Sequence, residues 1–168
     1  MRRAGVLALC LIALVQLHAA ADDSLVTFDG GIGVVPVSNV AGAANADGTF
    51  PNVSRNDVRG VGPGGQPWVI RSLKADVKLD GRVSVDGRGL LLGGGNGIGT
   101  NGGQSVQARL FCGTAAFNSG LVALEADGDF RIDDVLNPLP PTACSTPILL
   151  IVGGGGRWFA AGIPKLND

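Results

Sequence analysis

The residues able to move a proton or hold a cation in this chain are carboxylates. The 168-residue sequence has fourteen acids, one histidine and no tyrosine. Glu125 is the only glutamate, and Asp133-Asp134 is an adjacent acidic pair with Asp129 close by. Two carboxylates can hydrolyse a glycosidic bond when one donates a proton and the other activates water or attacks. Three carboxylates can hold calcium through oxygen ligands. The adjacent pair reads first as a solvated turn. Glycan hydrolysis through two aspartates, and a calcium site built on Asp129, Asp133 and Asp134, are the two chemical alternatives. Sugar sites want aromatic surfaces, and the aromatic supply is Trp68, Trp158 and six phenylalanines. Both tryptophans are expected to pack in the core or at its edge.

The remaining chemistry is narrow. Met1-Arg2-Arg3, the apolar run through Leu17 and the small residues Ala19 to Ala21 form a basic, an apolar and a cleavage region. That order predicts a secretory signal peptide over residues 1–21, cut after Ala21, with a run too short for a stable membrane anchor. Cleavage would remove His18, the only histidine, and leave residues 22–168 as a single domain. A Ser-His-Asp triad, a Cys-His pair and histidine-based metal sites are then excluded. The formal charge of −1 becomes more negative once Arg2 and Arg3 are gone, so the surface offers no footprint for nucleic acid. No cofactor, metal or catalytic residue is expected. No membrane span is expected after the signal is removed, and the partner is unknown. Secretion or a periplasmic location follows from the leader.

Cys112 and Cys144 are the cysteines beyond the leader. In an exported chain they are expected to form one disulfide. They are 32 residues apart and have no histidine partner for a metal role.

The clearest structural signal runs from Trp68 to Leu92. Val69, Leu73, Ala75, Val77 and Leu79 alternate with polar residues, and Val83 and Val85 continue the pattern after Asp80-Gly81. Period-two alternation predicts two strands with one buried face. A three-residue loop, Leu79-Asp80-Gly81, sets Val77 against Val83, Ala75 against Val85 and Lys74 against Asp86, with Gly81 left-handed. Leu121 to Ile132 predicts a second hairpin around Ala126-Asp127-Gly128, with Leu124 facing Phe130 and Val122 facing Ile132. Ser24 to Val40, broken by Asp29-Gly30-Gly31 and Pro36, predicts one or two strands near a sheet edge. Ile148 to Val152 predicts a strand buried on both faces, and RWFAAGIP predicts the last strand. Asn52-Val53-Ser54 matches a glycosylation acceptor, a short and common motif.

Gly97 to Gly102 satisfies G-x-G-x-x-G. A nucleotide loop needs a helix behind those glycines. SVQARLFC follows instead and alternates as a strand, so the cluster reads as a flexible connection. Many short strands with frequent turn signals predict an all-β fold: one antiparallel β-sandwich, Greek-key-like, or a barrel, with Gly/Pro-rich loops and one disulfide.

GGQPWVI (64–70), GRGLLLGGGNGIGTNGGQSV (87–106), ARLFCG (108–113), GDFRIDD (128–134) and WFAAGIP (158–164) together resemble a family of uncharacterised exported bacterial proteins. The order of strand, Asp-Gly turn, strand and SVQARLFCG is also similar to the CHRD domain, a secreted β-sandwich like the copper/zinc superoxide dismutase fold. CHRD sequences carry histidines at that place and this chain has none, so no metal role carries over. The resemblance implies export and a β fold, and no activity. The functional expectation is an exported non-enzymatic β-sandwich, a binding or envelope-associated structural module. A secreted carboxylate-dependent glycan hydrolase and a calcium-stabilised adhesion domain are the alternatives.

Overall fold

The computed structural model describes residues 23–165, so the expected leader lies outside the described residues. No helix occurs among the described residues. The strands, in chain order, are β1 (Ser24–Gly33), β2 (Val37–Ala41), β3 (Asn52–Arg55), β4 (Trp68–Val69), β5 (Ser72–Lys78) and β6 (Arg82–Arg88). They continue as β7 (Leu91–Leu92), β8 (Ser105–Cys112), β9 (Ala115–Asn118) and β10 (Val122–Ala123). The last three are β11 (Phe130–Val135), β12 (Ile148–Gly153) and β13 (Trp158–Pro164).

One antiparallel sheet dominates, in the order β10-β8-β12-β13-β1-β5-β6-β11, with β9 paired to β8. The sheet curls until its ends meet. Asn118 and Asn137 exchange backbone hydrogen bonds of 3.0 and 2.8 Å, and Gly120 N donates to Asp134 Oδ2 at 2.6 Å. These bonds bring the β9 end of the sheet against the β11 end. Closure of this kind hides the edges that an open antiparallel sheet would expose. The fold is therefore the expected all-β class, as a curled, barrel-like sheet.

The β5–β6 hairpin has the register its alternation predicts: Val77 opposite Val83, Ala75 opposite Val85 and Lys74 opposite Asp86. Gly81 has φ +85°, and its N–H donates to Lys78 O at 3.0 Å. Leu73, Ala75, Val77, Val83 and Val85 are buried. Two expected core residues are not. Val69 is 52% exposed and Leu79 44%. The chain bends at Ile70–Arg71, so Val69 belongs to a separate pairing with Leu91, and Leu79 is part of the turn itself.

Two further expectations are corrected. Residues 24–40 predict one or two strands near a sheet edge; β2 does lie in a two-stranded ribbon with β3, yet β1 lies inside the main sheet between β13 and β5. Asp29-Gly30-Gly31 does not break the strand. It makes a bulge between Phe28 and Gly31, with Gly30 at φ +101°. Pro36 falls after β1 ends and therefore costs the ladder no donor. The second hairpin also differs. Its turn forms, with Gly128 N donating to Glu125 O at 2.9 Å and Gly128 at φ +81°. Its arms then separate. Val122 pairs with Val106 on β8, and Ile132 pairs with Val85 on β6. The turn joins the two ends of the curled sheet.

Inside the curl, β8 alternates Val106, Ala108 and Leu110 into the core, while Leu149 to Val152 of β12 are all at 0% exposure. That continuous burial is what the unbroken apolar run predicts. Cys112, at the end of β8, is bonded to Cys144 with a Cα–Cα distance of 4.8 Å. The bridge ties the proline-rich loop to the sheet. No helix among the described residues is long and apolar enough to cross a membrane.

Candidate functional site

The carboxylates singled out by sequence are placed on different errands. Glu125 is exposed on the turn that joins the sheet ends. Asp129 accepts from Arg88 Nη1 at 2.8 Å and from Gly89 N at 2.8 Å, and these two donors, in that order, pull its carboxyl below the usual range. Asp134 accepts from Gly120 N and Val135 N, which lower it likewise. Asp133 stands exposed beside Arg131 at 3.4 Å. Asp129, Asp133 and Asp134 thus serve separate partners. Among the described residues no three His, Cys, Asp or Glu side chains gather as metal ligands.

Register does bring one pair of acids into a common groove. On the outer face of β5, β6 and β11, Asp76 lies opposite Ser84, and Ser84 lies opposite Asp133. The three side chains, with Lys78, Arg82 and Asp134, line an open groove of about 430 Å³. Two strand spacings put the carboxylates roughly 10 Å apart, close to the separation of an inverting glycosidase. Each acid already has a cation. Lys78 Nζ binds Asp76 Oδ2 at 2.8 Å and Asp23 Oδ1 at 2.7 Å, and both acids raise the Lys78 ammonium above its usual range. Asp76 Oδ1 is buried and receives no hydrogen bond among the described residues. Asp76 is one of the polar residues alternating with Ala75 and Val77, and nothing local in the sequence associates it with Asp133. The association depends on β11 pairing with β6, which no local pattern announces.

A second groove lies where the glycine-bearing loops 60–67, 93–104 and 153–157 come together. Gln66, Trp68, Gln104, Arg157 and Phe159 line it, with glycines between them, around about 320 Å³. A further cleft of about 300 Å³ adjoins it and shares Gly64, Gly65 and Arg157, adding Pro36, Pro63 and Arg55. Trp68 stacks on Phe159 with ring centroids 4.2 Å apart and planes 13° from parallel. Both rings are 6% exposed, so the groove meets their edges and not a stacking face. A Cβ on Gly64 would stand 3.0 Å from Trp68 Nε1 and 3.1 Å from Phe159, so glycine there keeps the slot open. The glycine cluster at 93–103, expected as a flexible connection, is pinned by hydrogen bonds. Leu92 N donates to Thr100 O and Gly99 N to Leu92 O, both at 2.9 Å.

Gln104 Nε2 donates to Gly102 O at 3.2 Å, whereas three other donors of this second groove have no partner among the described residues. Among the described residues nothing accepts a hydrogen bond from Trp68 Nε1, the Gln66 amide or the Arg157 guanidinium. Trp158 is different. It is 4% exposed, and its Nε1 donates to Asn56 O at 2.8 Å. The packing role expected of both tryptophans is therefore found, and Trp68 in addition presents its indole edge to the groove. That second feature had no sequence signal, because the three loops are distant in the chain.

Comparison with known proteins adds no relative: no family model, curated protein or solved structure matches this chain.

Proposed function

We propose that this chain is an exported, non-enzymatic β module that works by binding, through the groove between the glycine-bearing loops. The observation that carries this reading is the set of unpaired donors there. Trp68 Nε1, Gln66 and Arg157 converge on a slot held open by Gly64. Polar groups that a fold leaves without internal partners, on rigidly placed loops, are available to a ligand. Small-ligand sites have this form, a concave surface with a few convergent polar groups. The disulfide supports the compartment.

The acids support a structural role. Asp47, Asp80, Asp86, Asp129 and Asp134 all titrate below their ordinary range, drawn down mainly by hydrogen bonds to nearby N–H, hydroxyl or guanidinium donors. A general acid for glycan hydrolysis needs the opposite shift. A second reading, a carboxylate-dependent hydrolase, rests on the Asp76–Ser84–Asp133 row. The two are separated by one experiment. Purified protein is screened for turnover of glycans and for ligand-induced change in tryptophan fluorescence, beside Asp76→Asn, Asp133→Asn and Gln66→Ala variants. The binding reading predicts a fluorescence change that weakens in Gln66→Ala and survives in both aspartate variants. Turnover that disappears in Asp76→Asn or Asp133→Asn would establish the hydrolase instead.

A further inference from the structure

The two guanidinium groups of Arg55 and Arg157 meet over one residue. A Cβ on Gly62 would collide with both Arg55 Nη2 and Arg157 Nη1. Gly62 itself is buried, while both arginines are exposed. Two guanidinium ions cannot shed their charge near neutral pH, and holding them together in one place is electrostatically unfavourable. The nearest compensation is thin. Arg55 Nη2 pairs with Asp57 Oδ1 at 3.4 Å, both of them solvent-exposed, and Arg157 has no ion-pair partner among the described residues.

The fold builds this convergence through Trp158. The Trp158 backbone N–H donates to Gly62 O at 3.0 Å, and Gly64 N donates back to Trp158 O at 2.9 Å. The Trp158 indole fixes Asn56 O at 2.8 Å, and Asn56 Nδ2 donates to Val35 O at 3.0 Å. Arg157 directly precedes Trp158, and Arg55 directly precedes Asn56. One buried tryptophan therefore sets both arginines beside the glycine that leaves room for them. Both arginines line the smaller cleft, and Arg157 alone also lines the adjoining slot that holds Trp68 and Gln66, so it links the cation pair to that slot.

We propose that Arg55 and Arg157 form an oxyanion site that anchors an acidic glycan in the groove, by a uronate carboxylate or a sulfate ester. Planar guanidinium groups match the oxygens of either anion with paired hydrogen bonds. The amides of Gln66 and Gln104 and the indole N–H suit sugar hydroxyls, which both donate and accept. The proposal rests on the binding reading above and adds the ligand's charge and its anchor.

The test measures tryptophan fluorescence of the purified protein with four probes: tri-galacturonate, a sulfated galactan trisaccharide, a neutral galactan trisaccharide and inorganic sulfate. At least one acidic trisaccharide should bind about tenfold or more tightly than the neutral one, and its affinity should fall as salt rises. Arg157→Met should remove that preference. Gly62→Ala should weaken acidic binding while leaving the melting temperature nearly unchanged, because its Cβ displaces only the ends of two flexible side chains. Equal binding of neutral and acidic trisaccharides, unaltered in Arg157→Met, would overturn the anion anchor and leave the groove reading standing. A response to inorganic sulfate alone would keep the anion site and overturn the glycan. No response to any probe in the native protein would overturn both.

Discussion

The charged face of β5, β6 and β11 and the groove between the glycine-bearing loops use the same side-chain types in opposite ways. On the sheet face Arg88, Lys78 and Arg82 sit against acids, while Lys74 lies opposite Asp86 in register without an ion pair among the described residues. Arg88 binds Asp86 at 2.7 Å and Asp129 at 2.8 Å, Lys78 binds Asp23 and Asp76, and Arg82 binds Asp80 at 2.7 Å. At the groove Arg157 has no acid partner among the described residues, and Arg55, at the end of β3, has one loosely placed aspartate. Neutralised charge on a sheet holds strands in register, whereas uncompensated charge on loops is free for a ligand. In a chain whose titratable residues show no catalytic pattern, charge left without an opposite partner is the mark of a ligand site. Changes on the sheet should register in stability, and changes at the loops in binding.

Several perturbations test that division. The largest effect should come from the disulfide. Cys112→Ser opens a loop of 32 residues and should cost about 3–4 kcal/mol in the chain-entropy picture. Peptide mapping of the native protein without reductant should recover Cys112 and Cys144 as one linked pair. Gly128→Ala comes next. Gly128 is left-handed, and a Cβ would press within 2.8 Å of the Leu90 backbone. The Leu90 backbone cannot move cheaply, so a loss of about 3 kcal/mol is expected in chemical denaturation. Gly81→Ala should cost about 1–2 kcal/mol from its left-handed φ, with added pressure because the Cβ would stand 2.7 Å from Leu139 Cδ2. An unchanged denaturation midpoint would contradict the hairpin register.

Arg88 gives a subtler, pH-dependent effect. The Asp129 carboxyl is depressed first by Arg88 and then by Gly89 N–H. A depressed folded value contributes stability that is fully present above the unfolded pKa of about 3.9 and is lost as pH falls through the folded value. Arg88→Met should therefore lower the melting temperature at pH 7. The variant should also decline less steeply below about pH 4, so the two curves approach each other in acid. Parallel curves across that window would show that Arg88 acts through packing alone.

The sequence made the parts with local causes legible. Alternation and Asp80-Gly81 specify the β5–β6 register, because a tight turn leaves few pairings that keep Val77 and Val83 on one face. The apolar run at Ile148 to Val152 identifies an interior strand for the same kind of reason. Non-local pairing was not legible. Ala126-Asp127-Gly128 makes the expected turn, but only β8 and β6 decide that Val122 and Ile132 part company. Asp29-Gly30-Gly31 reads as a break, and becomes a bulge because β5 and β13 hold the strand on both sides. The Arg55–Arg157 site was equally hidden. Its members are far apart in sequence, and the only local trace is a glycine at position 62 in a turn-rich stretch.

The most direct test compares the melting temperatures of Arg88→Met and Arg157→Met at pH 7 and moderate salt. Both variants replace an exposed arginine with a neutral side chain of similar length. If sheet cations are structural and loop cations are held for a ligand, Arg88→Met melts below the native protein. Arg157→Met then melts at the native temperature or slightly above, because removing one guanidinium relieves its repulsion with Arg55. A loss in Arg157→Met equal to that in Arg88→Met would contradict the account, since it would make the loop arginine one more strut of the fold.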